Sequence, residues 1–485
     1  MSSHVKNPLA VLFLSSLTLI AQANPYTASQ PAYKWYEAGQ KTVDEAKALF
    51  PEQKPAKNVI LFVGDGMGIS TITAARVLAG QQNKELGEAF QLSFEKFPYL
   101  ALSKTYNTNM QVPDSAGTMT AMITGVKTSA GVLSVDETVK LGDFKEVSGH
   151  KLVTLIEQAE DKGLATGVIS TARITHATPG ATYAHTSHRD WETVDQLPEA
   201  ARKAGFPDIA AQLIAFNHGD GINLVMGGGR NYFDKRSDGR NLIDEWKKKY
   251  PEGVFVANSK ELNQVDLAKT NHVFGLFSPS HMTYDVDRNK GPEGEPSLSE
   301  MTAKAIQYLS KYPQGYVLVV EGGRVDHAHH EGNAARALNE AIELAKAVEV
   351  ATKMTNAQDT LLVVTADHSH TLTMNGYPVI DNPILGKVVQ WNETTGEKEI
   401  AKDANGLPYT TLQYANGPGA RPHADLTNVD TTSKDYKQDA LILMESETHG
   451  GEDVAIFARG PGGIWFHGTV EQNVIYHVMY EALAK

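Results

Sequence analysis

Short, nearly uninterrupted apolar runs recur through the chain. They are VILFVGD at 59–65, ATGVIST at 165–171, INLVMGGG at 222–229, YVLVVEGG at 316–323, LLVVTADHS at 361–369 and DVAIFARG at 453–460. Runs of this length rich in Val, Ile and Leu read as strands buried on both faces, as in parallel sheets covered by helices. Between them, KLVTLIEQAEDKG at 151–163 and NAARALNEAIELAKAVEVATK at 333–353 place apolar residues at helical spacing. The alternation predicts an α/β fold: a three-layer, doubly wound, mostly parallel central sheet with helices on both faces. Two stretches break the rhythm, at roughly 230–300 and 375–440. The second, rich in Gly, Asn, Pro and Thr, is read as a crown-like insertion at the sheet's rim.

Three of these runs end in an acid: Asp65, Glu321 and Asp367. In an open α/β sheet, ligands bind outside the carboxyl ends of the strands, so the three acids are placed to share one pocket. Asp326 and His330 stand four apart in EGGRVDHAHHEG, which puts both on one face of a helix, and His368 directly follows Asp367. His449, in ETHGGEDVAIF, is a candidate to complete one such group. Carboxylates crowded at one rim repel unless cations hold them together, so the cluster points to divalent metals rather than to acid–base catalysis. The imidazole-containing subsets suit zinc, and the oxygen-only subset of Asp65, Glu321 and the Thr178 hydroxyl suits magnesium. His327, His329 and His370 read as neighbours of these groups rather than ligands.

VPDSAGTMTAMITG at 112–125 places Ser115 where an apolar helical pattern begins. Free backbone N–H groups and the helix dipole there stabilise an alkoxide or a bound phosphate, although a plain capping serine gives the same pattern. Arg189, in YAHTSHRDWE, is the candidate for a bidentate clamp on an anionic substrate, against the plainer alternative of an ion pair with Asp190 or Glu192.

Bulk properties narrow the partners. The 485 residues carry 44 Lys and Arg against 57 Asp and Glu, a formal charge of −13, and no basic block that would follow a nucleic-acid backbone. Residues 1–23 hold Lys6, an apolar run and Ala21-Gln22-Ala23, the pattern of a signal peptide cleaved near Ala23. This predicts export to a periplasm or the medium, without a stable membrane anchor. The chain contains no cysteine, so stability after export must come from packing, metals or association. Residues 24–56 are expected to form an extended arm followed by a short helix around TVDEAKALF, and 57–485 the catalytic domain.

Taken together, VGDGMG, VPDSAGTMTAM, THATPGATYAHTSHRDW, VEGGRVDHAHHEGN, TADHSHT and THGGEDVAIFARGPG resemble the alkaline phosphatase family, in the family's order. The resemblance implies a metal-dependent phosphoric monoester hydrolase with two Zn2+ and one Mg2+. Asp326, His330 and His449 would hold the first zinc. Asp65, Asp367 and His368 would hold the second, and Asp65, Thr178 and Glu321 the magnesium. Ser115 would be the nucleophile that forms a phosphoserine, and Arg189 would grip phosphate oxygens. His176 and His327 are similar to the animal-like pattern, with His176 touching the magnesium site through water. The family is commonly homodimeric, and the arm and late insertion resemble its dimer-forming parts. Two alternatives stay open: a related two-metal phosphodiesterase or sulfatase-like hydrolase, and a secreted metal- or phosphate-binding protein without turnover.

Overall fold

The computed structural model describes residues 24–49, 54–421 and 424–483, so the expected signal peptide at 1–23 lies outside the described residues. A ten-stranded sheet forms the centre. Its strands are β1 (Asn58–Gly64), β2 (Tyr99–Lys104), β3 (Ala165–Arg173), β4 (Leu224–Gly228) and β5 (Val254–Val256). They continue with β6 (Val273–Ser278), β7 (Tyr316–Gly322), β8 (Thr360–Ala366), β9 (Val454–Arg459) and β10 (Thr469–Glu471). The order across the sheet is β10-β2-β9-β8-β1-β7-β3-β4-β6-β5. Every pairing is parallel except those of β9, which runs antiparallel to both β8 and β2.

The strands form where the apolar runs predict, because both faces of the sheet are covered. Val59, Leu61 and Val63 of β1 join one core, while Ile60 and Phe62 join the other, and all five are fully buried. Each such side chain contributes about 1.5–3 kcal/mol relative to exposure, which holds β1 between two covered faces. A shift of one residue would swap the two sets without exposing either. Register therefore rests on the ladder with β7 and β8 and on the polar residues at its end.

Two expectations are corrected. The segment read as an extended arm is largely helical: a helix spans Ala32–Leu49, because Tyr36, Val43 and Ala46 line one buried face. Tyr36 packs edge-on against His477 of the C-terminal helix, with ring centroids 4.7 Å apart. The stretch at 230–300 also does not stand outside the rhythm, since it supplies β5 and β6 to the main sheet. The interruption at 375–440 does leave the sheet: between β8 and β9 the chain forms small separate sheets, with strands at Leu372–Met374, Leu412–Gly417 and Ala440–Leu443 in one of them.

Candidate active site

The adjacent strands β8, β1, β7 and β3 deliver the acids to one rim. Gly64 stands opposite Ala366 of β8 and Gly322 of β7, so Asp65 and Asp367 leave the sheet side by side. Glu321, in β7, lies opposite Val63 and Ser170. The turn after β1 depends on Gly66, whose φ is +69°. A Cβ there would lie 2.3 Å from the His370 ring, and the Gly66 N–H donates to Asp367 Oδ1 at 2.9 Å.

Two further elements end at the same rim. The helix Arg324–His330 carries Asp326 and His330 one turn apart, as their spacing predicts. His449 arrives because β9 is antiparallel to β8, so the segment entering β9 starts where β8 ends. Asp326 then becomes a hub. Its Oδ1 lies 3.1 Å from His330 Nε2, 3.3 Å from His449 Nε2 and 2.8 Å from His370 Nε2. His330 and His449 direct Nδ1 at the carbonyls of Glu447 (2.6 Å) and Pro113 (2.7 Å), which can only accept, so Nδ1 carries the proton in each ring. Their Nε2 atoms, 3.1 Å apart, therefore turn lone pairs toward each other and toward a carboxylate. A cation is the natural occupant of that point.

Ser115 is the first residue of the helix Ser115–Thr124, and Asp114, not Ser115, is the cap: its side chain accepts the N–H of Gly117 at 3.1 Å. That leaves the serine oxygen free. Ser115 Oγ lies 3.1 Å from His368 Nε2 and 3.4 Å from Asp65 Oδ1. His368 is fully buried, and that burial holds its imidazole neutral, far below the ordinary range. Arg189 pairs with neither Asp190 nor Glu192 but with Asp114, Nη1 to Oδ2 at 3.1 Å, while its Nη2 lies 3.4 Å from His176 Nε2.

Among the described residues, three sets of ligand atoms lie within 4.8 Å of one another: Asp326, His330, His370 and His449; Asp65, Asp367 and His368; Asp65, His176 and Glu321. Asp65 is shared by two of them. The fit to metals rests on atoms left over once hydrogen bonds are assigned: Asp65 Oδ2, Glu321 Oε1, Thr178 Oγ1 and His176 Nδ1 are buried without a partner. Buried polar atoms left unpaired are costly, and Asp65, His176 and Glu321 each offer a ligand atom within 4.8 Å of the others, where a cation would meet them. Burial, followed by repulsion from Asp367, Asp326 and Glu321, pushes the Asp65 carboxyl well above the usual range. Burial likewise raises Glu321 to about 7 despite a hydrogen bond from Ser170. Asp326 moves the other way: burial would raise it, but the surrounding imidazoles outweigh that and hold it well below.

Sequence reasoning named His370 as a neighbour of the ligand groups but missed Glu447 and Gln472, which support them. His370 belongs to the first set by position, yet both its nitrogens meet carboxylates, Asp326 through Nε2 and Glu447 through Nδ1 at 2.5 Å. It braces Asp326 against the buried Glu447, whose other oxygen accepts from Thr371 at 2.7 Å. Gln472 donates to the Asp367 carbonyl at 2.7 Å. No local pattern marks Glu447 or Gln472, because each acts on a residue distant in sequence. His327 stands beside His176 and His281, with ring centroids 5.3 and 4.1 Å away.

Comparison with known proteins points the same way as the geometry. The sequence profile described as alkaline phosphatase matches residues 56–485. The tissue-nonspecific isozyme of alkaline phosphatase from Gallus gallus is 42% identical, across 96% of this chain and 92% of that protein. An alkaline phosphatase from Gadus morhua is also 42% identical, across 94% and 97%. Among solved structures, the alkaline phosphatase of Thermus thermophilus superposes with a TM-score of 0.64 at 24% identity, covering 89% of this chain and 92% of that one, and shares its fold. With a profile spanning nearly its whole length and relatives of this identity, the chain belongs to the alkaline phosphatase family.

Proposed function

We propose that the chain hydrolyses phosphate monoesters to alcohol and inorganic phosphate through a covalent phosphoserine at Ser115, with two Zn2+ and one Mg2+ as resident ions. Phosphatase activity follows from family membership. The route through Ser115 is carried by one observation: its oxygen is free of capping duty and lies within 3.1–3.4 Å of two groups from the ligand-bearing sets. In this reading Asp326, His330 and His449 hold one zinc. Asp65, Asp367 and His368 hold the other, and Asp65, Thr178 and Glu321 hold magnesium with His176 alongside. Bound there, the ions supply positive charge and Lewis acidity at the phosphoryl oxygens.

The chain's own groups do the rest. Ser115 Oγ gives up its proton and bonds to phosphorus as the ester oxygen leaves and takes up a proton to become the alcohol. Water then attacks the same phosphorus, the Oγ–P bond breaks and phosphate departs. The helix Ser115–Thr124 starts at the nucleophile, which places the positive end of its dipole beside the developing charge. Arg189 remains cationic: burial opposes its charge, but Asp114 and Asp65 more than compensate. Its planar fork suits two non-bridging oxygens, and its charge favours the dianion of a monoester over the monoanion of a diester. Comparing a phosphate monoester with a diester and a sulfate ester of the same alcohol tests the reading. The monoester is expected to lead by about 10²-fold or more in kcat/KM. Equal rates for the diester or sulfate would point to a different hydrolase, and no turnover of any ester to a binding protein.

A homodimer is part of the proposal. The insertion after β8 exposes large apolar side chains at Tyr377, Ile380, Trp391 and Leu441 to Leu443, with Leu441 84% exposed. Apolar surface gathered in this way favours a protein partner. A sedimentation mass of twice the chain is the expected result, and a monomer at micromolar concentration would remove the dimer from the reading. Export to a periplasm or the medium is likewise proposed from residues 1–23. Among the described residues, no helix is long and apolar enough to cross a membrane.

A further inference from the structure

Three consecutive residues near the C-terminus tie the helix of Ser115 to the end of the strand that carries Asp367 and His368. Glu471 closes β10, and Gln472 and Asn473 lead from it into the C-terminal helix Val474–Leu483. Gln472 and Asn473 are fully buried. Glu471 pairs with Lys127 Nζ at 3.0 Å, two residues past Gly125, which is the C-cap of the helix Ser115–Thr124. Asn473 Nδ2 donates to the carbonyl of Gly125 at 2.9 Å and to that of Trp35, in the helix Ala32–Leu49, at 2.7 Å. Gln472 Nε2 donates to the Asp367 carbonyl at 2.7 Å.

The Asp367 carbonyl lies past the end of the sheet's ladders. The pairing of β8 with β1 ends at Ala366 opposite Gly64, and its pairing with β9 reaches Thr365 opposite Ile456. Gln472 takes the place of a strand neighbour there. A carbonyl only accepts, so the amide nitrogen must face it, and among the described residues Gln472 Oε1 and Asn473 Oδ1 are buried without a partner. An unpaired buried acceptor costs free energy, so both amides contribute through their donors. The Asp367 carbonyl and the His368 N–H belong to one peptide unit, which is planar. Holding its oxygen therefore also aims its N–H, which donates to Asp367 Oδ1 at 2.9 Å. One donor thus orients the peptide that joins two side chains of the second ligand set.

Resting on the reading of Ser115 as nucleophile and of Asp367 and His368 as ligands, we propose that Gln472 is a positioning residue for phosphoryl transfer. It sets the Asp367–His368 peptide against Ser115, while Asn473 holds the far end of the nucleophile's helix. Ser115 Oγ lies 3.1 Å from His368 Nε2, and Thr118 Oγ1, one turn on, lies 3.4 Å from Asp367 Oδ2. These contacts join residues 253 and 249 positions apart in the chain. Adjacent residues that grip both parts at once keep them from sliding past each other, and a misplacement of about 1 Å can cost on the order of 100-fold in rate.

The test compares wild type with Gln472→Met, which keeps the side chain's length and removes its donor, in the full chain loaded with zinc and magnesium. For a phosphate monoester, kcat is expected to fall about 10-fold or more with KM within about twofold, because Arg189 and its partner Asp114 are untouched. Zinc affinity, measured by competition with a chromogenic chelator, is expected to fall about 10-fold, the usual cost of removing a group that orients a ligand. A merely structural residue would lower the melting temperature of the stripped chain and leave both quantities alone. Asn473→Ala acts from the far end of the helix and is expected to lower kcat about threefold or more with zinc affinity unchanged. It decides the matter if Gln472→Met does not fold. Wild-type kcat in either folded variant overturns the assignment. Failure of the active-site reading looks different: Ser115→Ala would then turn over normally while Gln472→Met still bound zinc more weakly.

Discussion

Replacing Ser115 with alanine is expected to lower turnover of a phosphate monoester by about 10³-fold or more while zinc and magnesium content stays at the wild-type level. The substitution removes one oxygen from a residue that is 1% exposed and leaves the helix start intact, because Asp114 does the capping. Alanine is itself a good helix former at that position. The ligand side chains keep their supports: His368 N–H on Asp367 Oδ1 at 2.9 Å and Gly66 N–H on the same oxygen. A fall in turnover therefore reports lost chemistry rather than lost metal. Steady-state kinetics paired with metal analysis separates the two, and an unchanged turnover number would remove Ser115 from the nucleophile's role.

The sheet's centre was legible because β1, β7 and β8 are buried on both faces and so carry continuous apolar runs. Their terminal acids were legible for the same reason: a polar residue closing such a run is conspicuous. The edge of the sheet was not. β5 has three residues, two of them only partly buried, and β10 also has three, so neither makes a pattern that stands out from loop sequence. The helix from Ala32 was masked by a Pro- and Tyr-rich beginning, and its reason for forming lies in the C-terminal helix it covers. Within the site, Asp326 and His330 announce themselves by helical spacing. His449 meets them only because β9 reverses direction beside β8, which is a property of topology that no window of sequence contains. Glu447 is hidden for the same reason, since its partner His370 comes from the far side of the insertion.

Stripping the protein with a chelator is expected to abolish turnover to the background of the assay, and zinc with magnesium together should restore it. The reason is charge. With the ions gone, Asp65, Asp367 and Glu321 are left at one rim, all buried, with Asp65 repelled by both of the others. Burial raises Asp367, and the charge of Asp326 adds to it. The chain then relieves the crowding by holding protons, so a phosphate dianion approaching Ser115 meets a site with too little positive charge, and Arg189 alone cannot offset it. Because these carboxyls lie above their usual range only while metal is absent, refilling the site must expel protons. Calorimetric titration of zinc into the stripped chain in buffers of different ionisation enthalpy should therefore show net proton release at about pH 7, alongside the return of activity. Full turnover in the stripped protein would sever the ligand sets from the reaction. Recovery of activity without proton release would mean that the carboxylates are ionised before the ions arrive, and that something other than protons holds their charges together.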